Sequence, residues 1–309
     1  MSKKIGCMFA GQGAQVSGMG ADLVEASEAA AEVFAKADSV LGWSVSDACF
    51  KGSSSKLKQS RICQPAIYTM SIACMAAFRE KAGLRPAACG GLSLGEFAAA
   101  ATAGVLDFET GLKLVAKRGE LMQRACRSTN GAMAAVLNAG EPLVKTVCGA
   151  HDIDIANLNC PGQIVISGEY EKVHEAIMAL KQEGVSRVIP LEVDGAFHSR
   201  LMQPAADAFS EVLGSVELSA PQCPFVQNFT GGLVDDPEEI RRNLEHQVTG
   251  SVRWEQCVQN MINSGIEMLV EFGPGKVLTG FMRRINRRFP VCNVAAAEDL
   301  EAAVEKVQA

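Results

Sequence analysis

The sequence predicts an α/β fold in which a large unit with a parallel sheet core is interrupted by a smaller one. Two observations carry this. Short apolar segments that run into glycine turns, at 4–10, 87–90 and 267–272, alternate with stretches of helical periodicity, as buried parallel strands do. Between about 128 and 193 that rhythm changes to shorter segments in the order βαββαβ, enough for a subdomain inserted within the larger one. A length of 309 residues allows such a division and a sizeable core.

The elements follow in order. Residues 4–10 read as a buried strand ending in Gly11-Gln12-Gly13; the apolar run breaks far short of a signal-peptide core. Helical periodicity covers 21–40 and 65–81, then a small-residue strand at 87–90 leads into Gly91-Leu92-Ser93-Leu94-Gly95. The alanine-rich run 94–103 has high helix propensity, and Asp107 is placed to N-cap a long helix reaching about 126. Next come strand 132–137, helix 141–148, strands 153–157 and 163–167, helix 170–182 and strand 186–191, the ferredoxin-like order. This sets the boundaries at 1–127 with 194–309 for the large unit and 128–193 for the insert. Asp236-Pro237-Glu238-Glu239 then opens a helix with an N-cap Asp, Pro at N1 and Glu at N3. Strand 267–272 ends in Gly273-Pro274-Gly275 and is followed by a helix to about 288.

Composition narrows the function. Apolar residues make up 48% and charged residues 21%, as in soluble globular proteins. A net charge of −6 gives no general attraction to nucleic acid or an anionic membrane, so an acidic partner needs a local basic patch. The longest apolar run, 97–106, is too short to span a bilayer. Eleven cysteines, odd in number and without a CxxC pair, argue against disulfides or a zinc site and for reduced thiols in a cytoplasm.

Gly91-Leu92-Ser93-Leu94-Gly95 is the only GxSxG in the chain, and its flanks read as strand and helix. In a nucleophile elbow the glycines permit a turn that lifts the serine hydroxyl out of the sheet. The N–H of Leu94, at a helix start, is placed to stabilise an oxyanion. A helix N-cap serine would fit the same letters, so a second element must decide.

Of the four histidines, His174 lies on a charged amphipathic helix, His151 in an exposed loop and His246 near a helix C-terminus, where the dipole explains it. His198 sits in Asp194-Gly195-Ala196-Phe197-His198-Ser199, the turn leaving the insert, which favours a cleft. Asp194 is a third triad member by proximity only, and a backbone carbonyl would orient the ring equally well.

On the 107–126 helix, Phe108, Leu112, Val115 and Met122 share a face, with Lys113, Lys117 and Glu120 opposite. Arg118 falls in the middle of the apolar face. A buried guanidinium needs an anion. That anion is either a structural carboxylate or the free carboxylate of an acyl group held bidentately.

Seven stretches then occur in order: Phe9-Ala10-Gly11-Gln12-Gly13-Ala14-Gln15, Gln64-Pro65-Ala66, Gly91-Leu92-Ser93-Leu94-Gly95-Glu96, Arg118-Gly119-Glu120-Leu121-Met122-Gln123, Asn159-Cys160-Pro161-Gly162-Gln163, Phe197-His198-Ser199 and Glu271-Phe272-Gly273-Pro274-Gly275. Over nearly its whole length the chain resembles the bacterial malonyl-CoA:acyl carrier protein transacylases. The resemblance implies an α/β-hydrolase-like large subdomain with a ferredoxin-like insert, and an acyltransferase of fatty acid synthesis without a cofactor. It implies that Ser93 attacks malonyl-CoA with His198 as base, and that the phosphopantetheine thiol of acyl carrier protein then takes the malonyl group. Gln12 and Leu94 match the oxyanion donors, Arg118 the carboxylate grip, and Gln247 the residue whose carbonyl orients the histidine.

One departure stands out. The family motif usually reads Gly-His-Ser-Leu-Gly, and this chain has Leu92 in the histidine's place. Arg118 is then expected to hold the carboxylate alone, with looser selection against neutral acyl groups, while Phe197 is similar to malonyl-selective members. Arg283, Arg284, Arg287 and Arg288, read as one helix face, are expected to dock the acidic carrier, with Arg187 and Lys181 as an opposing lip. A monomer is expected. The rivals are an acyltransferase serving a polyketide pathway, a serine thioesterase or hydrolase, which would not need Arg118, and a non-catalytic carrier-binding scaffold, which would not need Ser93 and His198.

Overall fold

The computed structural model describes residues 3–309. Strands β1 (Ile5–Phe9), β2 (Ala88–Gly91), β7 (Met268–Phe272) and β8 (Val291–Val294) form a parallel sheet in the order β2-β1-β7-β8. Side chains alternate between two cores. Ile5, Cys7 and Phe9 pack with the helix Ser60–Ala82, while Met8 packs with Trp254, Val258 and Met261 from the helix Trp254–Asn263. Both faces are covered, which explains why the strands read as continuous apolar runs.

Phe9 lies opposite Gly91 on one side and Phe272 on the other. The turns at Gly11-Gln12-Gly13, Leu92-Ser93-Leu94 and Gly273-Pro274-Gly275 therefore leave one edge of the sheet, at the carboxyl ends of the strands, where open α/β sheets bind ligands.

The second sheet is antiparallel, built from β3 (Gly131–Leu137), β4 (Asp154–Cys160), β5 (Gln163–Glu169) and β6 (Arg187–Pro190) in the order β4-β5-β3-β6. With the helices Glu141–Ala150 and Tyr170–Gln182 it makes the ferredoxin-like βαββαβ unit. Its own core includes Val136, Val144, Ile166, Val173 and Leu180. Edge strand β4 is tied to the large unit by Leu158 N–H donating to Val252 O at 2.9 Å and Val252 N–H to Ala156 O at 2.8 Å. Among the described residues no helix is long and apolar enough to cross a membrane.

Three helices differ from the sequence reading. The periodicity at 21–40 is two helices, Ala21–Ala26 and Glu28–Leu41, because Ser27 turns extended and caps the second through Ala30 N–H. The helix expected at 65–81 starts earlier, at Ser60, and carries Pro65 in its second turn. The arginine-bearing helix, Val277–Ile285, stops before 288. Asn286 is extended, and its Oδ1 accepts Arg288 N–H at 3.3 Å, a local bond that competes with continuing the helix. Arg287 and Arg288 thus lie beyond the helix that carries Arg283 and Arg284, and the four do not share one helix face.

Candidate active site

Ser93 takes φ 51°, a left-handed backbone that costs a serine some strain. The surrounding glycines make the turn possible. A Cβ on Gly91 would meet Gly95 O at 2.0 Å, and one on Gly95 would meet Phe9 O at 2.1 Å, both immovable backbone. Asn228 pins the turn from across the sheet: its Oδ1 accepts Ser93 N–H at 2.5 Å and its Nδ2 donates to Gly91 O at 2.8 Å.

Ser93 Oγ lies 2.7 Å from His198 Nε2, and His198 Nδ1 lies 2.8 Å from Gln247 O. A carbonyl only accepts, so Nδ1 carries the proton and Nε2 presents its lone pair to the serine hydroxyl. The ring is 5% exposed, and burial followed by the charge of Arg118 pushes its pKa down to about 4. The ring is therefore neutral at pH 7. Asp194 is exposed and takes no part in orienting the ring.

Arg118 is 1% exposed on the helix Phe108–Ser128. Among the described residues its hydrogen bonds go to no carboxylate. Nη1 donates to Gln64 Oε1 at 2.9 Å, and Nη2 to Gln247 Oε1 at 3.0 Å and to Ser93 Oγ at 3.2 Å, while buried Nε has no partner. The face of Phe97 lies 5.7 Å from the guanidinium carbon. Burial lowers the arginine pKa to about 10, leaving it cationic at neutral pH. Gly119 permits this packing, since a Cβ there would meet Ser60 O at 2.4 Å.

Gln12 joins the same network: Gln64 Nε2 donates to its Oε1 at 3.4 Å. Among the described residues the backbone N–H groups of Gln12 and Leu94 donate to no protein acceptor. Ser93, His198, Arg118, Gln12 and Leu92 line one cleft of about 470 Å³, with Phe197 in its wall. The other histidines stand apart. His174 and His246 are exposed, and His151, expected exposed, is half-buried with Glu175 Oε2 at 3.4 Å.

The sequence model of the family described as "Acyl transferase domain" matches residues 7–303. The chain belongs to that family. The acyltransferase is 38% identical over 310 residues to the malonyl CoA-acyl carrier protein transacylase of Bacillus subtilis (strain 168), covering 99% of this chain and 98% of that protein. Its fold matches the solved malonyl CoA-acyl carrier protein transacylase of Coxiella burnetii with a TM-score of 0.96 at 31% identity, covering 100% and 99% of the two chains. It also matches a malonyl-transacylase solved in complex with its type II PKS acyl-carrier protein, with a TM-score of 0.94 at 36% identity over 98% and 99%.

Several polar residues of the acyltransferase site escaped assignment from sequence. Gln64 and Glu96 stood inside quoted motifs without a role, although Glu96, a lone carboxylate heading an apolar helix, was a visible signal. Gln227 and Asn228 gave none, since an amide pair in an irregular stretch has no local signature.

Proposed function

We propose that this acyltransferase moves the malonyl group from malonyl-CoA to the phosphopantetheine thiol of an acyl carrier protein through malonyl-Ser93, for fatty acid synthesis. In this scheme His198 Nε2 takes the Ser93 proton as Oγ attacks the thioester carbonyl. The oxyanion is received by the N–H groups of Gln12 and Leu94. Collapse expels the coenzyme A thiolate, which takes the proton from His198. The carrier thiol then gives its proton to His198 and attacks the malonyl ester; as the tetrahedral intermediate collapses, the leaving Ser93 Oγ takes that proton back from His198. Gln247 O holds the base in its tautomer throughout. No cofactor enters any step.

The observation that carries the substrate class is Arg118 Nη2 at 3.2 Å from Ser93 Oγ, in a buried guanidinium that, among the described residues, is hydrogen-bonded to no carboxylate. In a malonyl ester the free carboxylate is separated from the reacting carbonyl by one methylene, so it falls within reach of a cation that touches the nucleophile. A serine thioesterase has no use for that charge.

For the carrier, the helix Val277–Ile285 supports docking beside the cleft. Val277 and Phe281 line the cleft, and Arg283, Arg287 and Arg288 are exposed at and beyond the helix end. Arg284 also donates to Gly162 O at 3.2 Å, so part of its capacity is spent holding the insert. Eleven free cysteines support a cytoplasmic enzyme.

Intact mass after brief incubation with malonyl-CoA tests the reading. One malonyl adduct is expected, absent in Ser93→Ala and discharged by holo acyl carrier protein. Discharge by water at the same rate would establish a thioesterase instead.

A further inference from the structure

Glu96 lies one side chain away from the reacting atoms and touches neither Ser93 Oγ nor His198. It is fully buried near the start of the helix Gly95–Thr102. Every group in hydrogen-bond contact with its carboxylate is a donor: Gln227 Nε2 to Oε1 at 3.1 Å, and Asn228 N and Gln247 Nε2 to Oε2 at 2.8 and 2.9 Å. Between this carboxyl group and Arg118 stands a single amide. Arg118 Nη2 donates to Gln247 Oε1 at 3.0 Å, and Gln247 Nε2 donates onward to Glu96 Oε2.

That amide can be satisfied in only one orientation. A guanidinium has donors alone, so Gln247 must turn its oxygen towards Arg118. Its NH2 then needs acceptors on the far side, supplied by Ser93 O at 3.0 Å and by Glu96. A flipped amide would set donors against donors at both ends and strip Arg118 of a bond, and both side chains are buried at 0% and 1% exposure. The backbone of Gln247, which holds His198, is fixed separately, at the end of the helix Pro237–His246.

We propose that Glu96 is a positioning residue for acyl-group selection: by locking the Gln247 amide, it sets the Arg118 guanidinium where the free carboxylate of the acyl group must meet it. This rests on the transacylase reading above. Glu96 acts on the charged acyl group through Arg118 and leaves the serine–histidine pair to its own backbone supports.

The test measures the rate of Ser93 acylation by malonyl-CoA and by acetyl-CoA, by quenched mixing and intact mass. It uses wild type, Glu96→Ala and Glu96→Gln, alone and with Arg118→Ala. Losing one buried hydrogen bond in the relay predicts a malonyl-to-acetyl ratio lower by up to about tenfold in Glu96→Ala. Glu96→Gln keeps a carbonyl oxygen for Gln247 and restores the ratio to within about twofold of wild type, the margin within which uncoupled effects add. In the Arg118→Ala background, Glu96→Ala should lower the ratio no further.

Equal losses for both acyl groups would make Glu96 merely structural, and an additive effect without Arg118 would place its action elsewhere; either overturns the proposal. If Glu96→Ala does not fold, Glu96→Asp withdraws the carboxylate by one methylene and gives the same split, a retained ratio overturning the role. A wild type that takes no malonyl group sinks the transacylase reading itself. A wild type that takes it, with an unchanged ratio in Glu96→Ala, sinks only the role of Glu96.

Discussion

The backbone carbonyl of Gln247 accepts the Nδ1–H of His198 at 2.8 Å, in the place where a triad would hold a carboxylate. A neutral acceptor orients the ring and raises its basicity, and burial and the Arg118 charge outweigh that, so the pKa drops to about 4. The free-enzyme rate of acylation is therefore expected to stay level as pH falls through 6.5, with its acid limb nearer pH 4. Single-turnover formation of the acyl-enzyme between pH 4.5 and 8 measures this, and a midpoint near 6.5 would contradict it. The linkage has a definite sign. A histidine depressed by folding contributes stability present above its unfolded pKa, lost as pH falls from 6.5 towards 4.

Glu96 behaves oppositely. Burial, the largest influence, raises its pKa from 4.5 to about 7, against the hydrogen bonds that lower it. The folded state holds this proton more tightly, so its stabilising contribution is complete below pH 4.5 and is lost as pH rises to 7. Glu96→Gln cannot lose a proton. The Tm of Glu96→Gln relative to wild type should therefore shift in the variant's favour between pH 5 and pH 8, whatever the offset at pH 5. A constant difference across that range, read by thermal denaturation, would mean that Glu96 titrates normally.

The elbow is steric before it is chemical. With Phe9 O only 2.1 Å from a Cβ at position 95, Gly95→Ala forces the Gly95–Thr102 helix away from β1. Overpacking against backbone is expected to cost about 1–3 kcal/mol and to displace Ser93 as well. Urea unfolding should show a lower midpoint, and acylation should fall with it. Unchanged stability would mean that the turn relaxes freely.

Seven of the eight strands were legible because period and punctuation agreed: β1, β2 and β7 are apolar runs stopped by glycine, and the insert alternates short elements with clear turns; β8, only Val291–Val294, went unread. Ser93, His198 and Arg118 were legible because each breaks a local rule, as a serine between glycines, a histidine at a junction and a charge on an apolar face. The length of the arginine-bearing helix was misread, because its end is decided by the Asn286 side chain bonding two residues ahead. Gln227, Asn228 and the second role of Gln247 were invisible from spacing. Their bonds join Ser93 and Glu96 to positions more than a hundred residues away, and only the assembled fold pairs them.

That helix end alters the docking prediction. Arg287 is exposed beyond Ile285 and free of the bond to the insert that occupies Arg284. Arg287→Glu should raise KM for holo acyl carrier protein several-fold, about 1 kcal/mol for a surface charge reversed, and leave KM for malonyl-CoA unaltered. The effect should shrink with added salt. Equal changes in both constants would remove this surface from the docking site.

In the proposed scheme, Leu92 sets how strictly the carboxylate is required. It lines the cleft with Arg118 and Phe197, and its apolar side chain offers an incoming carboxylate no hydrogen bond. Arg118 is then the charged group available to reward malonyl over acetyl. Leu92→His adds one N–H donor beside it. A single added hydrogen bond contributes about 0.5–1.5 kcal/mol, so the malonyl-to-acetyl ratio of acylation rates should rise roughly two- to tenfold. The gain should sit in the malonyl rate, because acetyl has no group to meet the new donor. If the ratio does not move, Arg118 already satisfies the carboxylate and the loss of the histidine at position 92 has no bearing on selectivity.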